Sequence, residues 1–113
     1  MITIDKLKEY GADTEKGLSL CMGNEAIYLR LVSTIPDEQK FTELKSSIES
    51  NDLDTAFENA HALKGVTGNL ALSPLYNPLM EITELLRARE ERDYTELITE
   101  IITQKDKLSD ICK

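Results

Sequence analysis

The sequence predicts an all-α fold, an antiparallel four-helix bundle with short additional helices at its N-terminus, and three observations carry that prediction. Apolar residues recur at helical spacing over most of the chain. Aromatics supply only 5% of 113 residues and tryptophan is missing, so the core must be built on Leu, Ile and Ala, which suits helices better than sheets. Five glycines and three prolines punctuate the chain sparsely, which leaves room for long helices.

"TIDKLKEYGAD" reads as a short helix capped by Thr3 and ended by Gly11, with Ile4 and Leu7 on one side. Asp13 or Thr14 starts another turn that runs through Leu18 and Leu20 to Gly23. Asn24 caps "EAIYLRLVSTI", in which Ile27, Leu31 and Ile35 fall at i, i+4 and i+8. Pro36 must break or kink this pattern, because it lacks an N–H and disfavours helix at Ile35. Helix resumes through Phe41, Leu44 and Ile48. Asp52 caps the next helix, and Pro74 sets its latest end. Ser73 caps "PLYNPLMEITELLRAREER", where Leu75, Leu79, Ile82 and Leu86 keep one buried face, and Pro78 is tolerable because it lies near the start. Asp93 opens a last helix carrying Leu97, Ile101 and Leu108, with Ile98 and Ile102 broadening its apolar face.

Length and charge narrow the function. The chain, 1–113, is sized for one domain with one core and is too short for a kinase. A net charge of −8 leaves no basic stripe for a phosphate backbone, so a protein is the expected partner and nucleic acid is not. Cys21 and Cys112 lack ligand-like spacing and read as buried or incidental thiols of a reducing cytosol, with a disulfide left open. No apolar run is long enough for a signal peptide or a membrane span, so a soluble, cytoplasmic, monomeric protein is expected.

"HALKGVTGNL" holds the one histidine, His61, followed by Gly65 and Gly68 inside a helical pattern. Each interior glycine costs about 0.5–1 kcal/mol relative to alanine, so something should compensate. At about 100° per residue, Leu53, Ala56, Ala60, Leu63, Thr67 and Leu70 form the core stripe, with Phe57 at its edge. His61, Lys64, Gly65 and Gly68 share the sector beside it. A lone histidine is more often a hydrogen-bonded core or surface residue. Here its neighbours at i+4 and i+7 are reduced to hydrogen and i+3 is a lysine, so the imidazole is cleared for another protein to approach. Close packing inside the bundle is the competing explanation for one glycine, Gly68 before Gly65. A neutral imidazole is a nucleophile, and a lysine one turn away can neutralise a phosphoryl group attached to it. There is no Gly-rich phosphate loop, plain carboxylate cluster or second histidine, so the remaining machinery must come from a partner.

With those residues in place, "AHALKGVTGNLAL", Ala60 to Leu72, resembles the motif of histidine-containing phosphotransfer (HPt) domains through His61, Leu63, Lys64, Gly65 and the Asn69–Leu70 pair. The preceding "SNDLDTAFENA" and the order of helices are also similar to that family. Ala71 stands where many members carry glycine. The resemblance implies that His61 is the phosphoryl acceptor and donor, that Lys64 offsets phosphoryl charge, and that Gly65 and Gly68 lie in a docking face. It also implies a polar or basic residue on the following helix, for which Thr83 and Arg87 are the candidates, although "RAREER" also fits a solvated helix end. The implied function is that of a phosphorelay intermediate exchanging its phosphoryl group with a response-regulator receiver domain or a hybrid histidine kinase. Such a chain is a phosphocarrier without its own ATP site, and Mg2+ is supplied by the receiver.

Two other functions are weighed against it. One is an HPt-like bundle that only binds receivers or scaffolds, which would need neither His61 nor Lys64. The other is the excised phosphorylatable domain of a chemotaxis-type or hybrid sensor kinase; 113 residues hold no ATP-binding or dimerisation segment of a complete kinase, and Met1 and Lys113 beside the first and last helices lead us to expect a free-standing protein.

Overall fold

The computed structural model describes residues 1–113. It contains α1 (Ile4–Tyr10), α2 (Thr14–Leu20), α3 (Glu25–Thr34), a 3-10 turn (Ile35–Asp37), α4 (Lys40–Glu49), α5 (Leu53–Asn69), α6 (Ser73–Arg87) and α7 (Thr95–Cys112), with no strand. The all-helical expectation holds. Helices α4 to α7 are the principal four, α5 packs between α4 and α6, and α7 covers α6 and reaches back to α1 and the 3-10 turn.

Side-chain caps explain most of the starts. Thr3, Asp13, Asn24 and Asp52 each accept a backbone N–H three residues on, from Lys6, Lys16, Ile27 and Thr55. Two expected caps are displaced. Ser73 is the first helical residue of α6 and makes no capping bond; Leu72, drawn fully into the core, stands at the cap and its carbonyl accepts from Leu75 and Tyr76. Asp93 lies one residue before the cap of α7, although its carboxylate accepts the Thr95 N–H at 2.9 Å.

The stops of α5 and α6 share one device. Leu72 N–H donates to Thr67 and Ala71 N–H to Gly68, which closes α5 in a Schellman turn with Ala71 at φ 56°. Alanine thus takes the left-handed conformation that glycine adopts without strain. Arg89, at φ 53°, closes α6 in the same way, with Glu90 donating to Leu85.

The core collects Leu7, Phe41, Leu44, Leu63, Leu75, Leu79, Ile82, Leu86, Ile101 and Leu108, all essentially inaccessible to solvent. Each such side chain contributes about 1.5–3 kcal/mol of transfer free energy. Two apolar faces differ from expectation. In α3 the buried residues are Tyr28 and Val32, while Ile27 and Leu31 stay 39% and 41% exposed. The Tyr28 hydroxyl donates to the Leu70 carbonyl at 2.9 Å, and that buried bond rotates α3 so that Tyr28 faces in. In α7 the fully covered positions are Ile98, Ile101 and Leu108, with Leu97 and Ile102 half-buried. Cys21 and Cys112 are free thiols, each half-buried. No helix is long and apolar enough to cross a membrane.

Candidate functional site

The outer face of α5 carries the site, because the core stripe of that helix is Ala56, Ala60, Leu63 and Thr67, all buried. Thr67 is kept in the stripe by donating its hydroxyl to the Leu63 carbonyl at 2.8 Å. His61 is exposed on the other side, with Lys64 half-buried one turn further on. A Cβ built on Gly65 would meet nothing within 4 Å, so no neighbour of this chain requires the missing side chain there.

Gly68 is different. A Cβ there would lie 2.9 Å from Cε1 of Tyr76 on α6, so this glycine lets a ring lie across α5. Between the two glycines opens a polar groove of about 380 Å³, lined among others by Lys64, Gly65, Gly68, Tyr76, Asp13 and Lys16. Sequence reasoning did not place Lys16 or Tyr76 here, since α2 and α6 reach the groove only through the fold. On the opposite flank of α5, Val66 and Leu31 are each 41% exposed and share a shallow apolar cavity of about 230 Å³ with Ile35 and Leu70.

Of the two α6 candidates, Thr83 is a correction. It is fully buried, and its hydroxyl is turned back onto the Leu79 carbonyl at 2.6 Å, so it presents nothing to a partner. Arg87 is exposed, and its guanidinium carbon lies 5.1 Å from the centre of the Phe57 ring. It reaches Phe57, one turn before His61, and pairs with Glu84 at 3.3 Å.

Phe57, which the helical spacing places at the edge of the core stripe, lies against His61. Its ring stacks on His61 with centroids 5.6 Å apart and planes 18° from parallel. Arg89 lies 5.0 Å from the same ring and is tied to Asp54 at 2.6 Å. The i, i+4 spacing of Phe57 and His61 was the available signal, because residues four apart on a helix are neighbours.

Chemically, the arrangement offers an exposed imidazole backed by an aromatic ring, a lysine within one turn, and open surface beyond it. No three His, Cys, Asp or Glu side chains are grouped so as to hold a metal ion. A family model, Hpt domain, matches residues 36–111 of the 113-residue chain, which spans α4 to α7 with most of the 3-10 turn. No curated protein and no solved structure matches the chain.

Proposed function

The chain belongs to the Hpt domain family, and on that footing we propose that it is a phosphorelay intermediate in which His61 exchanges a phosphoryl group with the aspartate of a response-regulator receiver domain. Hpt domains are phosphocarriers of two-component phosphorelays, and they interact with receiver domains and histidine kinases in general. The observation that carries the assignment to His61 is its exposure beside Gly65, whose missing side chain leaves open space on the approach to the ring.

The step is a displacement at phosphorus. The unprotonated ring nitrogen of His61 donates its lone pair to the phosphorus of the receiver's aspartyl phosphate. An N–P bond forms as the P–O bond to the aspartate breaks, the carboxylate departs with the electron pair, and the other ring nitrogen keeps its proton. Passing the group onward reverses these bond changes. Lys64 reaches the phosphoryl oxygens from one turn away and offsets their charge. The receiver supplies the magnesium, which counters the same charge from the partner's side. Gly65 admits the partner's loops, and the exposed Val66 and Leu31 provide apolar area for docking.

The test is to incubate the protein with a panel of phosphorylated receiver domains and follow the phosphoryl group. At least one receiver is expected to label the protein through an acid-labile bond, and His61→Gln is expected to keep the fold and abolish labelling. Labelling that survives His61→Gln, or that resists acid, contradicts the proposal, as does the absence of labelling by every receiver.

A further inference from the structure

Phe57 lies against His61 and Arg87 and Arg89 lie over Phe57, a group that phosphoryl chemistry on the ring nitrogen does not itself require. We infer that Phe57, gripped by the two arginines, is a positioning residue for His61, fixing the plane of the imidazole for attack; the inference rests on the phosphocarrier reading.

Four observations point the same way. First, the ring contact is specific, with centroids 5.6 Å apart and planes 18° from parallel, an offset stack between residues four apart on one helix. Second, none of the hydrogen bonds or ion pairs of the structure reaches the imidazole. Nucleophilic and metal-binding histidines are usually oriented by a carboxylate or carbonyl on the second ring nitrogen. Here the aromatic face does that work.

Third, Phe57 is itself held. The guanidinium carbons of Arg87 and Arg89 lie 5.1 and 5.0 Å from its centroid, within cation–π range. Arg87 is tied to Glu84 at 3.3 Å. Arg89 is tied twice, through Nε to Asp54 at 2.6 Å and through Nη1 to the Leu86 carbonyl at 2.5 Å. Fourth, Arg89 occupies the left-handed position of the Schellman turn that ends α6, with φ 53°. Met22, Asn51 and Ala71 hold the same conformation at other helix ends, so what distinguishes Arg89 is that its turn sets the guanidinium against Phe57 and Asp54.

The geometry gives the column a direction. One turn toward the N-terminus of α5 the imidazole is backed by Phe57; one turn toward the C-terminus lies Gly65, with no side chain at all. A histidine on an open helix face samples several staggered rotamers. Stacking on one side withdraws those that would lay the ring against the helix and keeps one orientation toward the open side. Such positioning acts on the chemical step and leaves docking alone.

Phe57→Leu, Phe57→Trp and Arg89→Gly test this, read by NMR of the His61 ring protons and by transfer kinetics with two donors, phosphoramidate and a phosphorylated receiver. The His61 ring protons of the native protein are expected to carry a ring-current shift that Phe57→Leu abolishes. Phe57→Leu is expected to slow the saturated rate with both donors by about threefold to tenfold, with the KM for the receiver unchanged. Phe57→Trp is expected to restore the rate, and Arg89→Gly to lower it partway while keeping or raising the thermal midpoint. Equal rates and an unmoved ring shift in Phe57→Leu overturn the proposal. So does a loss confined to the receiver's KM, which makes Phe57 a docking residue, or a failure of tryptophan to rescue. If the native protein accepts a phosphoryl group from neither donor, the phosphocarrier reading itself falls, a result distinct from a native protein and variants that are labelled equally.

Discussion

Gly17 in α2 and Gly65 in α5 are both glycines at helical positions, and their surroundings are opposite. A Cβ on Gly17 would come within 2.5 Å of Cε1 and Cζ of Tyr28, a side chain with no solvent exposure whose hydroxyl is bonded to the Leu70 carbonyl. A Cβ on Gly65 would meet nothing within 4 Å. The first glycine is explained by a contact inside the molecule. The second is left unexplained by anything inside it, and the space it opens lies one turn from the exposed His61. Both glycines sacrifice helix propensity, at about 1 kcal/mol each, yet only at the α2–α3 junction is the compensation found within the chain. At the α5 face the proposed function assigns it to a partner.

Gly17→Ala is expected to have the largest effect on stability. The added methyl displaces a buried, hydrogen-bonded ring, and overpacking of this kind costs about 1–3 kcal/mol. A loss of about 1 kcal/mol lowers the midpoint of a domain this size by about 4–8 °C, readable by circular dichroism. An unchanged midpoint would mean that Tyr28 swings aside, and the contrast with Gly65 would lose its structural half.

The same junction gives a pH dependence. Burial, reinforced by the nearby Cys21 and Asp13, pushes the Tyr28 phenol up to about 12. Burial raises the Tyr10 phenol as well. A pKa raised in the folded state means that folding favours the protonated phenol. The associated stability is therefore complete below the unfolded value of about 10 and is lost as pH rises through the folded value. Urea melts from neutral pH upward should show stability declining above pH of about 10. Tyr28→Phe should start lower, by about 1 kcal/mol for the lost hydrogen bond, and decline less steeply. An identical alkaline slope in that variant would detach Tyr28 from the effect.

Gly68→Ala is the structurally intermediate case, and its effect on stability should be smaller than that of Gly17→Ala. Its Cβ would lie 2.9 Å from Cε1 of the half-buried Tyr76, a ring near the surface that is free to tilt. The gain in helix propensity and the cost of that tilt should nearly cancel, leaving a change within about 1 kcal/mol in a thermal melt. A loss as large as that of Gly17→Ala would place Gly68 with the packing glycines and take it out of any docking face.

How far these features were legible in the sequence varies with the length scale of the cause. Helices α5 and α6 could be read directly, because Ala56, Ala60 and Leu63, and Leu75, Leu79, Ile82 and Leu86, repeat at helical spacing and are all buried. The capping side chains of Thr3, Asp13, Asn24 and Asp52 act within three residues, so their sequence signals are local. In α3 two apolar stripes compete, Ile27–Leu31 and Tyr28–Val32. Periodicity does not choose between them; the hydrogen bond from Tyr28 to Leu70, 42 residues away, does. The site divides in the same way. His61, Lys64 and Gly65 lie within one turn and were read together, whereas Lys16, Tyr76 and Arg89 arrive from other segments. Thr83 looked polar in sequence, yet its hydroxyl satisfies itself on the preceding turn and leaves the residue in the core.

The central claim is that the space at Gly65 exists for a partner to reach His61, and Gly65→Gln tests it most directly when transfer is measured with two donors. Glutamine suits a helix, so the thermal midpoint should hold or rise. Transfer from a phosphorylated receiver should fall at least about tenfold, or roughly 1.4 kcal/mol in the barrier, because the side chain stands between the imidazole and the receiver's aspartate. Phosphoramidate, which needs no docking surface, should label His61 at close to the native rate. A Gly65→Gln protein that unfolds, while its residual folded fraction accepts phosphoryl groups from the receiver normally, would contradict the account and assign Gly65 to packing.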